Sequence, residues 1–274
     1  MRPLFRLLAL IGWSFVIAPV QLTALALKLP AAGRIPMAFH RGVLRIFGIS
    51  IVSEGRMRAE RPTLFVGNHI SYLDIFVIGA VVEGSFVAKA EVATWPVAGF
   101  YAKLQRTIFV ERSRRAAVGA QRDQLQRRLE EGVNVILFPE GTSHDGARVL
   151  PFKSALFAAA ERKVKGRHVV VQPVSLAYIA MDGLPITRAQ RPTVAWYGDM
   201  GLLPHVWKFL TASRTRVALR FHEPLVIDDY ANRRALAAAC HAVVADGVVT
   251  LVSGRTPAAA LTAPEESASA ASPA

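Results

Sequence analysis

Residues 68–74 read NHISYLD, which puts a histidine, His69, and a carboxylate, Asp74, five positions apart directly after the strand-like run TLFVG. Imidazole titrates near neutrality, at about pH 6.5, so it can take up and return a proton under ordinary conditions. A carboxylate beside it fixes its tautomer and stabilises the imidazolium that forms. Ser71 followed by Asp74 matches a capping box, which predicts a helix that starts at Ser71, with Asp74 in its first turn and His69 just ahead of it. The chain reversal there brings the two side chains within hydrogen-bonding reach and leaves the outward ring nitrogen free as a base. In the plain alternative, Asp74 only caps a helix and His69 is an incidental loop residue.

A second polar constellation stands at residues 138–154, FPEGTSHDGARVLPFKS, after the buried run VNVIL. A strand ending in Pro-Glu-Gly-Thr places the Glu140 carboxylate and a series of backbone N–H groups at a sheet's carboxyl edge, where open α/β sheets bind their ligands. Two such endings on similar strands favour a site over two unrelated turns.

The elements that must position these groups follow from hydrophobic periodicity. Apolar, β-branched runs bounded by turn formers predict strands at 63–66, 85–89, 107–111, 133–138, 169–177, 193–197 and 216–221. Helical patterns fall at 71–81, 113–131, 154–164 and 230–245. Strands alternating with helices predict an α/β fold with a mostly parallel central sheet flanked by helices. The 274 residues suit one such domain, at 49–254, because no linker, repeat or block of like charge divides it. Residues 255–274 hold too few large apolar side chains to fold and are expected to be disordered.

Between Arg6 and Lys28 run twenty-one residues without a charge, about 31 Å as a helix. Residues 1–48 therefore read as a membrane-anchoring helical segment, with 35–47 as a second, amphipathic element lying in the surface. A cleaved signal peptide is the competing reading, since basic residues precede the run and Ala-Leu-Ala occurs at 24–26. Arg2 and Arg6 before the run, against Lys28, Arg34, Arg41 and Arg45 after it, place the main domain on the cytoplasmic side.

Thirty-three Lys and Arg against twenty Asp and Glu give a net charge of +13 on a chain of positive mean hydropathy. That pairing fits anionic lipid heads, or the phosphates of a soluble carrier, better than nucleic acid, for which no zinc finger or RNP signature is present. The single cysteine, Cys240, excludes an intrachain disulfide and reads as a small buried side chain. No GxSxG, HExxH, P-loop or dinucleotide fingerprint occurs, and Ser143, His144 and Asp145, being contiguous, cannot adopt triad geometry together. A metal site built from His69, Asp74, Glu140 and His144 lacks any ligand spacing to support it.

Taken together, four blocks resemble the glycerolipid acyltransferases, the 1-acyl-sn-glycerol-3-phosphate acyltransferase-like family, over residues 61–227. NHISYLD resembles the family's NHxxxxD, RTIFVER its GxIFxxR, FPEGTS its FPEGTR, and VQPVSLAY its fourth, Pro-containing block. The resemblance implies a membrane-bound O-acyltransferase that moves a fatty acyl group from acyl-CoA or acyl carrier protein to the hydroxyl of a lysolipid, with no cofactor or metal. It implies His69 as the base, Asp74 as its orienter, and Arg112, Glu140, Gly141 and Thr142 as acceptor-binding residues. Pro173 belongs to a block linked to the acyl donor, and Lys89 and Lys153 are weaker candidates for the same electrostatic surface. A cytoplasmic-membrane location and membrane-lipid partners follow from the same likeness. The first acceptor it suggests is 1-acyl-sn-glycerol-3-phosphate. Two departures bear on the acceptor: Ser143 stands where the family has arginine, which removes a cation from the acceptor pocket, and Arg106 stands where it has glycine, which could restore that charge. Chains ending EGTS resemble the lyso-ornithine lipid branch, whose zwitterionic head has no phosphate. From another class, a catalytically inactive membrane lipid-binding protein would keep the fold.

Overall fold

The computed structural model describes residues 1–110, 117–212 and 214–254, with backbone only for 117–123. Arg112 and the segment from Arg255 lie outside them. Among the described residues the strands are β1 (Ile49–Glu54), β2 (Thr63–Gly67), β3 (Ser85–Lys89), β4 (Ile108–Val110), β5 (Val135–Leu137), β6 (Lys163–Val164), β7 (Arg167–His168), β8 (Val170–Met181), β9 (Leu184–Pro185) and β10 (Thr215–Phe221). The α-helices are α1 (Arg2–Ala26), α2 (Ile35–Phe47), α3 (Leu73–Gly79), α4 (Pro96–Leu104), α5 (Ala117–Glu130), α6 (Arg191–Val194), α7 (Leu202–Thr211) and α8 (Arg233–Val252).

The central sheet has the order β1-β10-β8-β2-β5-β3-β4, with β9 added to β8. Its pairs are parallel except β10 with β8 and β8 with β9, as the alternation of strands and helices predicts. All five residues of β2 are buried, because helices cover both faces. Successive side chains alternate between two apolar layers. Phe65, Ile136, Leu176 and Leu219 face α2, α3 and α7. Leu64, Val66, Val135, Leu137 and Val171 face α8 and the end of α5. Each such side chain contributes about 1.5 to 3 kcal/mol on burial, so β2 is a rigid base for whatever follows it. Gly79 lets α2 approach α3, since a Cβ there would lie 2.4 Å from the His40 ring.

Three expectations fail in detail. The helix after NHIS starts at Leu73 rather than Ser71 and ends at Gly79. Only half of the capping box forms: the Asp74 carboxylate accepts the Ser71 N–H at 2.9 Å, while Ser71 Oγ is buried without a partner among the described residues. Residues 193–197 are not a strand, because Pro192 opens the short helix α6 and the Trp196 N–H donates to Ile70 O at 3.0 Å instead of to a ladder. The helix over 154–164 is a 3-10 turn, Ser154–Ala159, followed by the β6–β7 hairpin, which reverses at Lys165 and Gly166 with positive φ.

Helix α1 inverts the usual pattern of a surface helix. Its inward stripe, packed toward α2, α4 and α7, carries Arg6, Trp13 and Gln21 among small and apolar residues. Arg6 donates to Leu210 O at 3.1 Å and to Ala212 O, Trp13 Nε1 to Phe39 O at 3.1 Å, and Gln21 to Leu104 O at 2.8 Å. Leu4, Phe5, Leu8, Phe15 and Val16 stand exposed on the other side. Helix α8 is five residues shorter and as apolar, but it packs through Leu236, Cys240, Val244 and Leu251 onto the sheet and serves as a core helix. Burial pushes the Cys240 thiol up to about 12, so it stays protonated.

Candidate active site

Strand β2 ends at Gly67, and Asn68 continues its ladder with a side chain. The Asn68 amide donates to Leu176 O at 2.9 Å and accepts the Leu176 N–H at 2.8 Å, so the turn is clamped onto β8. His69 follows, and its Nδ1 lies 2.9 Å from Asp74 Oδ2. The same oxygen accepts the N–H groups of Ile70 at 2.6 Å and Ser71 at 2.9 Å, and Oδ1 accepts the Tyr178 hydroxyl at 2.8 Å. A carboxylate with four donors and no exposed surface cannot swing away.

Because Asp74 only accepts here, the bond assigns the proton to His69 Nδ1 and leaves Nε2 as the lone-pair nitrogen. Among the described residues Nε2 has no protein partner, and the ring is about one-fifth exposed. Phe138, the first residue of FPEGT, stacks on the imidazole with centroids 4.4 Å apart and planes at 12°. The ring is thus held from the side by a carboxylate and on its face by a phenyl, with one nitrogen open.

The Pro-Glu-Gly-Thr turn follows β5, which pairs with β2, so both constellations stand at the same carboxyl edge. Glu140 joins them. One of its oxygens accepts the His69 N–H at 2.7 Å and the other the Leu150 N–H at 2.8 Å. Burial, opposed by these two bonds, raises its carboxyl to about 7. Gly141 takes φ of 75°, which suits glycine in the turn. The His144 N–H closes the loop onto His69 O at 3.0 Å.

Of the other candidates, Thr142, Lys89 and Lys153 are exposed and Pro173 is buried within β8 opposite Val66. Arg106 takes φ of 61°, matching the glycine expected there, and donates to Glu131 at 3.3 Å. Arg112 cannot be placed, lying outside the described residues. Tyr178 was not singled out from the sequence: it is 104 residues from Asp74, and burial together with the adjacent carboxylate pushes its phenol well above the usual range. Tyr72, which bonds the His205 ring at 3.2 Å, braces the opposite side of the turn.

This arrangement can remove a proton from a hydroxyl presented to Nε2, stabilise the imidazolium through Asp74, and return the proton to a leaving group. A family model described as Acyltransferase matches residues 48–177. The chain is 43% identical over 232 residues to a Lyso-ornithine lipid O-acyltransferase of Brucella abortus, covering 84% of this chain and 87% of that one. It is 34% identical over 212 residues to a 1-acyl-sn-glycerol-3-phosphate acyltransferase of Neisseria meningitidis, covering 75% and 79%. The crystal structure of the 1-acyl-sn-glycerophosphate (LPA) acyltransferase PlsC from Thermotoga maritima shares the fold, with a TM-score of 0.64 at 24% identity over 92% of this chain and 98% of that one. With a histidine–carboxylate pair at the sheet's carboxyl edge and this similarity to named acyltransferases, the chain belongs to the Acyltransferase family of enzymes.

Proposed function

We propose that this acyltransferase moves a fatty acyl group from a thioester, acyl-CoA or acyl carrier protein, to the free hydroxyl of a lyso-ornithine lipid. The observation that carries the acyl-transfer chemistry is the 2.9 Å contact between His69 Nδ1 and the buried Asp74, with Nε2 open. His69 takes the hydroxyl proton as the oxygen attacks the thioester carbonyl. Collapse of the tetrahedral adduct expels the thiolate, which the imidazolium protonates, so no acyl-enzyme is needed. Asp74 aims the ring and Glu140 holds the two loops together.

The choice of acceptor rests on the Brucella relative and on Ser143, which gives the FPEGTS turn no cation for a phosphate. The same chemistry on 1-acyl-sn-glycerol-3-phosphate, preferred from the motifs alone, is the second reading, favoured by the Neisseria relative. Arg112, Gly141 and Thr142 belong to the acceptor side in either case.

The exposed apolar face of α1, with Arg6 and Gln21 tied to backbone carbonyls of the body, supports a helix lying in the membrane surface beside the body rather than crossing the bilayer apart from it. We place the site on the cytoplasmic side of the inner membrane, where thioester donors are available. Purified protein offered both lysolipids in parallel, with each donor, tests the reading. Product that depends on His69, formed faster from lyso-ornithine lipid, is expected. A preference for 1-acyl-sn-glycerol-3-phosphate would transfer the assignment to the second reading, and no His69-dependent product would reject both.

A further inference from the structure

Beside the catalytic turn lies a small cavity of about 50 Å³, partly open to solvent. Ile70 and Tyr178 form the wall it shares with the site, and both also bond the Asp74 carboxylate. Gly146, with φ of 73°, closes another side: a Cβ there would stand 3.1 Å from Ile70 Cδ1. Two opposite charges line the same space. Arg191, in the first turn of α6, is half-buried, and its guanidinium has no partner among the described residues. Asp145 accepts the Ala147 N–H at 2.9 Å through Oδ1, close to His144 Nδ1, and its Oδ2 has no partner among the described residues.

An arginine and an aspartate facing one cavity suit a ligand that carries both an anion and a cation. A guanidinium binds a carboxylate through paired, charge-assisted hydrogen bonds, and a carboxylate binds an ammonium likewise. A phosphate monoester, by contrast, would meet one cation and one repelling anion. The cavity lies one residue from His69, across the wall that Ile70 and Tyr178 form.

Building on the lysolipid reading above, we propose that this cavity receives the zwitterionic amino-acid head of the acceptor, its carboxylate on Arg191 and its ammonium on Asp145, and that it thereby selects an amino-acid lipid over a phosphate-bearing one.

The test pairs protein variants with acceptor analogues in detergent micelles. Wild type, Arg191→Gln, Arg191→Lys and Asp145→Asn are assayed with lyso-ornithine lipid, its methyl ester and its Nδ-acetyl derivative. With wild type, each blocked acceptor should raise KM about tenfold or more, the worth of one charge-assisted hydrogen bond, with kcat changed by less than about threefold. The ester penalty should shrink below about twofold in Arg191→Gln and largely persist in Arg191→Lys, and the acetyl penalty should vanish in Asp145→Asn. This crossed pattern separates recognition from misfolding, since a misfolded variant fails with every acceptor alike. If wild type acylates lyso-ornithine lipid but Arg191→Gln keeps the full ester penalty, the cavity assignment is wrong while the function stands. If wild type forms no His69-dependent product from any acceptor, the lysolipid reading itself fails.

Discussion

At the carboxyl edge of the sheet, Asp74 is fully buried and carries four hydrogen bonds, whereas along α1 Phe5, Leu8, Phe15 and Val16 stand more than half exposed. One region removes polar groups from water and satisfies them, and the other offers apolar groups to its surroundings. The two arrangements answer different demands. A base must be held within a few tenths of an ångström of its working position, which needs a fixed network of donors. On the proposed membrane reading, the apolar side chains of α1 meet lipid and need no partner inside the protein, while Arg6 and Gln21 turn inward.

Disturbing the edge should affect turnover, and disturbing α1 should affect location. The largest effect is expected for Asp74→Asn, which keeps an acceptor for the backbone amides but withdraws the charge that stabilises imidazolium. We expect kcat to fall about a thousandfold with membrane binding retained, as read by parallel turnover and vesicle flotation. Replacing Leu8, Phe15 and Val16 together by serine should lower partitioning onto anionic vesicles about a hundredfold, since each loses over 1 kcal/mol of apolar burial in lipid. Turnover on micellar acceptor should change by less than about threefold, and equal losses in both assays would erase the division of labour.

A smaller and pH-dependent effect belongs to Glu140. Its carboxyl is raised from an ordinary 4.5 to about 7, so the folded state holds the proton more tightly than the unfolded chain. The stabilisation this brings is complete below pH 4.5 and is lost as pH rises through about 7. Glutamine cannot titrate, so the stability of wild type relative to Glu140→Gln should fall by up to about 3 kcal/mol between about pH 5 and pH 8, measured by denaturant unfolding. Tyr178→Phe should cost least, about tenfold in kcat with KM unchanged, because it removes one of four donors from Asp74. A larger rise in KM than fall in kcat would move Tyr178 from aiming the base to lining the acceptor site.

The same contrast explains what the sequence discloses. His69 and Asp74 are separated by a single chain reversal, so strand, turn and helix signals suffice to bring them together. The parallel sheet is equally legible, because β2 and β5 lie in short apolar runs bounded by turn residues. Tyr178 and Arg191 reach the site only through tertiary packing. Tyr178 sits where β8 runs on past the end of β2, which no local pattern marks. Arg191 precedes VAWY, a run whose β-branched and aromatic residues imitate a strand but which the Ile70 carbonyl captures outside the sheet. Helices α4 and α7 lie outside the predicted elements, and neither opens on a side chain that caps its first turn and would mark its start.

The central claim is that His69 Nε2 takes the acceptor's proton. Acyl transfer by His69→Ala, measured at saturating donor and acceptor on protein verified as folded, tests it directly. The account predicts that kcat falls about a hundred- to ten-thousandfold while the acceptor KM stays within about threefold. Turnover within about tenfold of wild type would contradict it.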